Sequence, residues 1–178
     1  GGIDLAAMKA GAESLGEAIA DKNDEHLIVV KSTVVPGTTE DVVTPIVEDA
    51  SGKTAGEGFH VAMNPEFLRE GFALGDFKDP DKIVFGVNDD AARDTLDRVY
   101  DPLVEAADGD PALVETGIKE AEMIKYANNA FLATKISLIN EIGNVCKEYG
   151  VDAYEVADAI ALDHRIDEHF LRSGVGWG

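Results

Sequence analysis

The sequence predicts an α/β protein: a mainly parallel sheet, followed by one very long helix and a small all-helical region. Short apolar, β-branched runs alternate with stretches of helical periodicity, which is the pattern of βαβ units. From about Gly117 to Tyr149 only Gly143 interrupts that periodicity, and Gly150 is placed as a stop. Asp152 then caps a further helical stretch over Ala153 to Ile160.

The elements follow in order. Ile3, Met8, Ala12, Leu15 and Ile19 keep helical spacing, and His26-Leu-Ile-Val-Val-Lys31 reads as a buried strand. Thr38 or Thr39 starts a second helix through about Asp49. Pro45 should bend or shorten it, because proline lacks an N–H and crowds the preceding turn. Gly52, Gly56 and Gly58 form a loop before a strand at 59–63. Asp79-Pro-Asp81 turns the chain into a strand at Lys82 to Val87, a helix over about 89–107 leads away, and a short strand lies near Ala112-Leu-Val-Glu115. At ~1.5 Å per residue the long helix would span roughly 45 to 50 Å, more than one domain layer. Ile124, Phe131, Leu138, Ile142 and Val145 give it an apolar stripe, widened by Ala127, Ala130 and Ile139. Such a helix should cross between domains or pack against a second chain, and the domains divide at 116/117.

Composition narrows the partners. Thirty-five acids against fifteen bases give a formal charge of −20, which argues against nucleic acid or an anionic membrane as a broad-surface partner. The acids are dispersed, as in Asn23-Asp-Glu25 and Asp108-Gly-Asp110, so they read as a solvated surface suited to high salt. With no apolar run of membrane-spanning length and no signal-like segment, the chain reads as soluble and cytosolic. Cys146 is the only cysteine, so no internal disulfide can form; among apolar neighbours on a helix it is expected to be core. His164 and His169 lack the spacing and acidic company of a metal site, and no metal is expected. Ser51-Gly-Lys-Thr54 has Val47 where a phosphate loop needs its first glycine, so it is set aside.

Asn64-Pro-Glu-Phe-Leu-Arg-Glu-Gly71 holds the chemistry. It follows a strand, which puts Glu66 and Glu70 at the carboxyl edge where open α/β sheets bind ligands. The spacing of four is also that of an exposed helical turn. Lys31-Ser-Thr-Val-Val-Pro-Gly-Thr38 follows the first strand and brings Ser32 and Thr33 to the same edge, either as a simple turn or to hold a water with Glu66. Lys125 and Asn129 lie four apart on one face of the long helix. An ammonium and an amide so placed can stabilise an alkoxide, or else form a solvated face.

In order along the chain, Lys31 to Thr38, Asn64 to Gly71, Lys125-Tyr-Ala-Asn-Asn-Ala-Phe131, and Arg165-Ile166 through Gly174-Val-Gly-Trp-Gly178 resemble the nucleotide-sugar dehydrogenases that act on UDP-glucose and GDP-mannose. The resemblance implies a partial Rossmann-like sheet: residues 1–116 as the C-terminal part of an NAD-binding domain, and 117–178 as a central helical domain through which members form homodimers. It implies oxidation of the C6 alcohol of a UDP- or GDP-sugar to a carboxylate, with NAD, through a cysteine thiohemiacetal and thioester, serving polysaccharide synthesis. It implies Lys125 and Asn129 as oxyanion partners, Glu66 as the base for thioester hydrolysis, and Thr33 and Glu70 as orienting groups. Ser32, Thr33 and Glu70 would adjoin the cofactor. Glu66, Phe67, Leu68, Lys125, Asn129, Arg165 and Phe170 would hold the sugar nucleotide, Arg165 reaching the neighbouring subunit's site.

Two departures from the family pattern matter. No Gly-x-Gly-x-x-Gly follows any strand, so the glycine-rich phosphate loop is expected before Gly1, and the family's cysteine motif would begin where the chain stops. The chain is therefore expected to be an internal piece without turnover of its own. Two other readings are a hydroxyacid dehydrogenase of the 6-phosphogluconate type, which leaves Glu66 to Gly71 unexplained, and a stand-alone dimerisation module.

Overall fold

Apolar side chains follow one another at 27–30, 61–63 and 83–85, and because successive residues of a strand point to opposite faces, each face of the sheet needs a helical cover. The structure, a computed structural model, describes residues 4–167, 169, 171 and 172. Ile3, Phe170 and the segment from Gly174 to Gly178 lie outside the described residues. The chain divides into two compact units, Gly1–Tyr126 and Ala127–Gly178, and the division falls within the long helix.

The first unit holds β1 (Leu27–Val30), β2 (His60–Met63), β3 (Lys82–Val87) and β4 (Ala112–Thr116), ordered β1-β2-β3-β4 across one sheet. β1 pairs with β2, and β3 with β4, in parallel; β2 and β3 are antiparallel. The sheet is thus mainly parallel, with one reversed joint. Its cause is the connection: between β2 and β3 the chain forms only a six-residue helix, α3 (Ala73–Lys78), so it re-enters the sheet from the edge at which it left. The sequence reading had no helix there. Ile28, Val30, Val61, Met63 and Val84 face one side, under α1 (Ala6–Ile19), α2 (Thr44–Ser51) and the start of α5 (Ile118–Tyr149). Leu27, Val29, Ala62, Ile83 and Phe85 face the other, against Leu96, Tyr100, Leu103 and Val104 of α4 (Asp90–Ala106).

Pro45 acts where the sequence puts it. With its N–H missing, the chain forms a π-turn over Thr39–Val43, in which the Thr44 N–H reaches back to the Thr39 carbonyl, and Pro45 then sits in the first turn of α2. Gly86 sets the position of α5. A Cβ there would come 2.5 Å from the Ala121 Cβ and 3.1 Å from the Ile118 Cα, so only glycine admits the helix this close. Met63 lies opposite Gly86, and Gly86 opposite Thr116, so α5 begins level with the carboxyl end of β2.

At the other end of β2, His60 is buried with an acid on each side. Its Nδ1 faces Asp89 Oδ1 at 2.9 Å and its Nε2 faces Glu25 Oε2 at 3.4 Å. The Nδ1 contact is close but poorly aligned, so charge carries it more than hydrogen-bond geometry. Burial works to lower the imidazole pKa; the two carboxylates outweigh it, and the net shift is upward. A raised folded-state value means that this contribution to stability is complete below the ordinary value of 6.5 and is lost as pH rises through the folded value. Thermal melts between about pH 6 and 8 are expected to show a downward slope that His60→Asn flattens.

In the second unit α5 continues and ends at Gly150, whose φ of +66° is the left-handed cap conformation. Asp152 Oδ1 accepts from the Tyr154 N–H at 2.8 Å and caps α6 (Ala153–Ala161). Ile139, Ala157 and Leu171 form a small core with Ile142, Ile160 and Ala161, while Cys146 is buried. The expected apolar stripe divides: Ile139 is buried, but Phe131 is 72% exposed and Leu138 60%. Among the described residues no helix is long and apolar enough to cross a membrane.

Candidate functional site

The parallel register of β1 and β2, with Val30 opposite Met63, brings both carboxyl ends to one edge. The next residue on each strand locks them. Asn64 is buried; its Nδ2 donates to the Val84 carbonyl at 2.9 Å, and its Oδ1 accepts from Lys31 Nζ at 2.6 Å and from the Tyr100 hydroxyl. Lys31 Nζ also donates to Tyr100 Oη at 3.0 Å and to the Asn64 carbonyl at 3.2 Å. Lys31 and Asn64 belong to the two sequence motifs, yet no role was read for either. They fix the roots of both site loops.

Beyond that lock the residues 64–69 form no helix, so the four-residue spacing of Glu66 and Glu70 is not that of a helical turn. Glu66 is half-buried, and its Oε2 accepts from the Leu68 N–H at 2.7 Å, which curls the loop. Its Oε1 lies 3.4 Å from Lys125 Nζ. Lys125 is 5% exposed, and its ammonium also stands 5.1 Å from the Phe67 ring centroid. Lys82, at the start of β3, places its ammonium 4.2 Å from the same ring, a consequence of the reversed joint. Two cations thus stand over the Phe67 ring, an arrangement that electrostatic attraction to the ring face favours.

The far side of the loop is held by Arg69, which forks onto Asp76 at 2.7 to 3.2 Å and keeps the Asp76 carboxyl below the usual carboxylate range. Glu70 and Leu68 are exposed, as are Ser32 and Thr33 on the neighbouring loop. The structure therefore brings Glu66, Phe67 and Lys125 into contact and puts Ser32 and Thr33 on the same edge. Asn129 and Arg165 belong to the second unit. Asn129 is exposed on α5, and Arg165 is exposed and forked onto Asp163 at 2.6 and 2.9 Å. Phe170 lies outside the described residues.

One residue escaped the sequence reading. Glu122 is fully buried on α5, with Oε2 accepting from the Gly37 N–H at 2.5 Å and Oε1 from the Thr39 N–H at 2.8 Å. A signal existed: Ile118, Glu122 and Lys125 share one helical face, and an acid there must be buried with partners. Among the described residues no group of three or more His, Cys, Asp or Glu side chains could hold a metal ion.

Residues 1–104 match the model for the NAD binding domain of the UDP-glucose/GDP-mannose dehydrogenase family, and residues 119–178 match the model for its central domain. The chain is 61% identical over 178 residues to UDP-glucose 6-dehydrogenase AglM of Haloferax volcanii, covering 100% of this chain and 41% of that protein. It is 41% identical over 180 residues to GDP-mannose 6-dehydrogenase of Pseudomonas aeruginosa, covering 100% of this chain and 40% of the other. Among solved structures, a UDP-glucose dehydrogenase from Pyrobaculum islandicum superposes with a TM-score of 0.90 at 46% identity, over 99% of this chain and 39% of its own. The chain thus spans about two fifths of the length of the curated relatives it matches.

Proposed function

The chain belongs to the UDP-glucose/GDP-mannose dehydrogenase family, and from that premise we propose that it forms part of an NAD-dependent enzyme that oxidises the C6 alcohol of a UDP- or GDP-sugar to a carboxylate. In this reading residues 1–116 complete an NAD-binding domain, and 117–178 begin the central domain. The observation that carries it is the buried Lys125 ammonium, 3.4 Å from Glu66 at the carboxyl edge of the sheet. A fixed cation there stabilises the oxyanion formed when the C6 alcohol, or the thiohemiacetal made from its aldehyde, loses a proton, and Asn129 supplies an amide donor one turn further along the helix. Glu66, half-buried and held by Lys125 and the Leu68 N–H, takes the proton from the water that hydrolyses the thioester. Thr33 and Glu70 orient that water. The loop backbone at Phe67 and Leu68, with Phe170, holds the sugar nucleotide, and Arg165 reaches the site of a neighbouring subunit.

NAD, when bound, would accept the hydride. The residues present fit one end of it: exposed Ser32 and Thr33 hydroxyls and the exposed Glu70 carboxylate at a sheet edge suit ribose hydroxyls. Its diphosphate calls for a glycine-rich strand-to-helix turn, which this sequence does not contain. The exposed Phe131 and Leu138 on α5 support a homodimer through that helix, and the acidic surface supports an enzyme working at high salt.

The test is stoichiometry. A full-length enzyme carrying this chain is expected to release two NADH for each UDP- or GDP-sugar consumed, whereas one NADH per sugar, with an aldehyde product, would rule the reading out.

A further inference from the structure

Glu122 combines three features that a surface acid on a helix does not have. It is fully buried, both carboxylate oxygens are engaged, and both donors are backbone N–H groups of another segment. Those donors, on Gly37 and Thr39, stand where the π-turn leading into α2 begins, and no side chain of that turn caps it. The first N–H groups of a helix have no partner within it and carry its positive end, so a carboxylate is the group best suited to close them. An apolar residue at 122 would fill the space and leave two buried donors unpaired, a costly arrangement.

The geometry at Gly37 is arranged for this contact. Its φ is +96°, and a Cβ would come 2.6 Å from Asp41 Oδ2, so glycine is required for its N–H to turn toward α5. Val34, in the same loop, is buried to 2% exposure, and Thr38 Oγ1 donates to the Val35 carbonyl at 2.6 Å. The loop between β1 and the Glu122 contact is therefore short and tightly tied. It carries Ser32 and Thr33. On the other side of the contact, Lys125 follows Glu122 by less than one turn of a continuous helix. Lys119 reaches Glu40 at 3.3 Å and Asp41 at 3.4 Å across the same joint, but it is exposed and contributes little.

We propose that Glu122 is a positioning residue for the site: its carboxylate fixes the Thr33 loop against the helix that carries Lys125. The inference rests on the functional reading above, because it assigns Glu122 the task of holding two groups of that reaction in register. Glutamine at this position keeps the volume but turns an amide N–H toward one of two N–H donors, so the loop must shift. A shift of about 1 Å far from the chemistry can cost about 10²-fold in rate, so kcat of E122Q is expected to fall by about tenfold to 10²-fold.

The experiment uses the full-length enzyme and a double-mutant cycle of E122Q with Thr33→Ala, with KM for the nucleotide sugar and the melting temperature recorded for each variant. If Glu122 acts through the Thr33 loop, kcat falls, KM for the sugar stays within about twofold, and Thr33→Ala in the E122Q background costs much less than it does alone. Lys119→Ala, which breaks only the exposed pair, is expected to keep kcat within about twofold. Should E122Q fail to fold, the cycle is repeated with E122D, which keeps the charge and both acceptors but shortens the reach. Wild-type kcat in a folded E122Q or E122D, or losses that simply add to those of Thr33→Ala, would overturn the proposal. An unmutated enzyme that produced no NADH from any nucleotide sugar would defeat the functional reading itself, so the two failures are distinguishable.

Discussion

Lys125→Ala in the full-length enzyme is expected to lower kcat by about 10² to 10³-fold, the usual cost of removing one donor from a developing oxyanion, with a much smaller change in KM. Lys125 is 5% exposed, and its described partners are a carboxylate at 3.4 Å and the face of Phe67. Holding an ammonium there costs solvation that one carboxylate offsets only in part. A lysine kept for stability alone could be exchanged for a long apolar side chain, so Lys125→Met should leave the melting temperature unchanged or higher while kcat falls as in the alanine variant. Glu66 is 40% exposed and can be hydrated once Lys125 is gone, so neither substitution strands a buried charge. Arginine is not a conservative replacement, because its planar fork does not fit a point contact between Phe67 and Glu66. Full activity in Lys125→Ala would falsify the oxyanion role.

The parts of this fold that were legible in the sequence are those set by local pattern. β3 is observed over Lys82–Val87, as the run of apolar and β-branched residues predicts, and α5 ends at Tyr149, before the glycine that stops it. The reversed joint between β2 and β3 was not legible, since direction depends on whether a connection crosses the sheet, and Gly71 to Asp81 carries too weak a helical period to decide. The site follows the same division. That Glu66 and Thr33 share an edge could be read from their places after two strands. That Lys125 meets Glu66 depends on Met63, Gly86 and Thr116 standing in one row, which is a matter of register. Glu122 was missed for a related reason: a glutamate on a helix reads as solvated until the helix's buried face is known. The lock of Lys31, Asn64 and Tyr100 joins three distant parts of the chain and left no local mark at Tyr100.

Glu66→Gln separates the two halves of the proposed reaction. If Glu66 serves only as the base that activates water, hydride transfer continues until each site carries an acylated cysteine, and hydrolysis then slows by about 10² to 10⁴-fold. The expected record is a burst of NADH of about two per active site, followed by a slow steady rate, with the sugar acyl group retained on the enzyme and visible by intact mass. The loop should survive the change, because glutamine keeps a carbonyl oxygen to accept from the Leu68 N–H that Glu66 now holds at 2.7 Å. Glu70→Gln is the comparison, since Glu70 is exposed beyond the Leu68 turn and in the proposed reaction only orients the water; it should slow turnover less and accumulate no acyl-enzyme. A Glu66→Gln enzyme that lost the burst along with the steady rate would place Glu66 in the first oxidation instead. Its contact with Lys125 would then mark a proton acceptor for the C6 alcohol, and the water of hydrolysis would need another base.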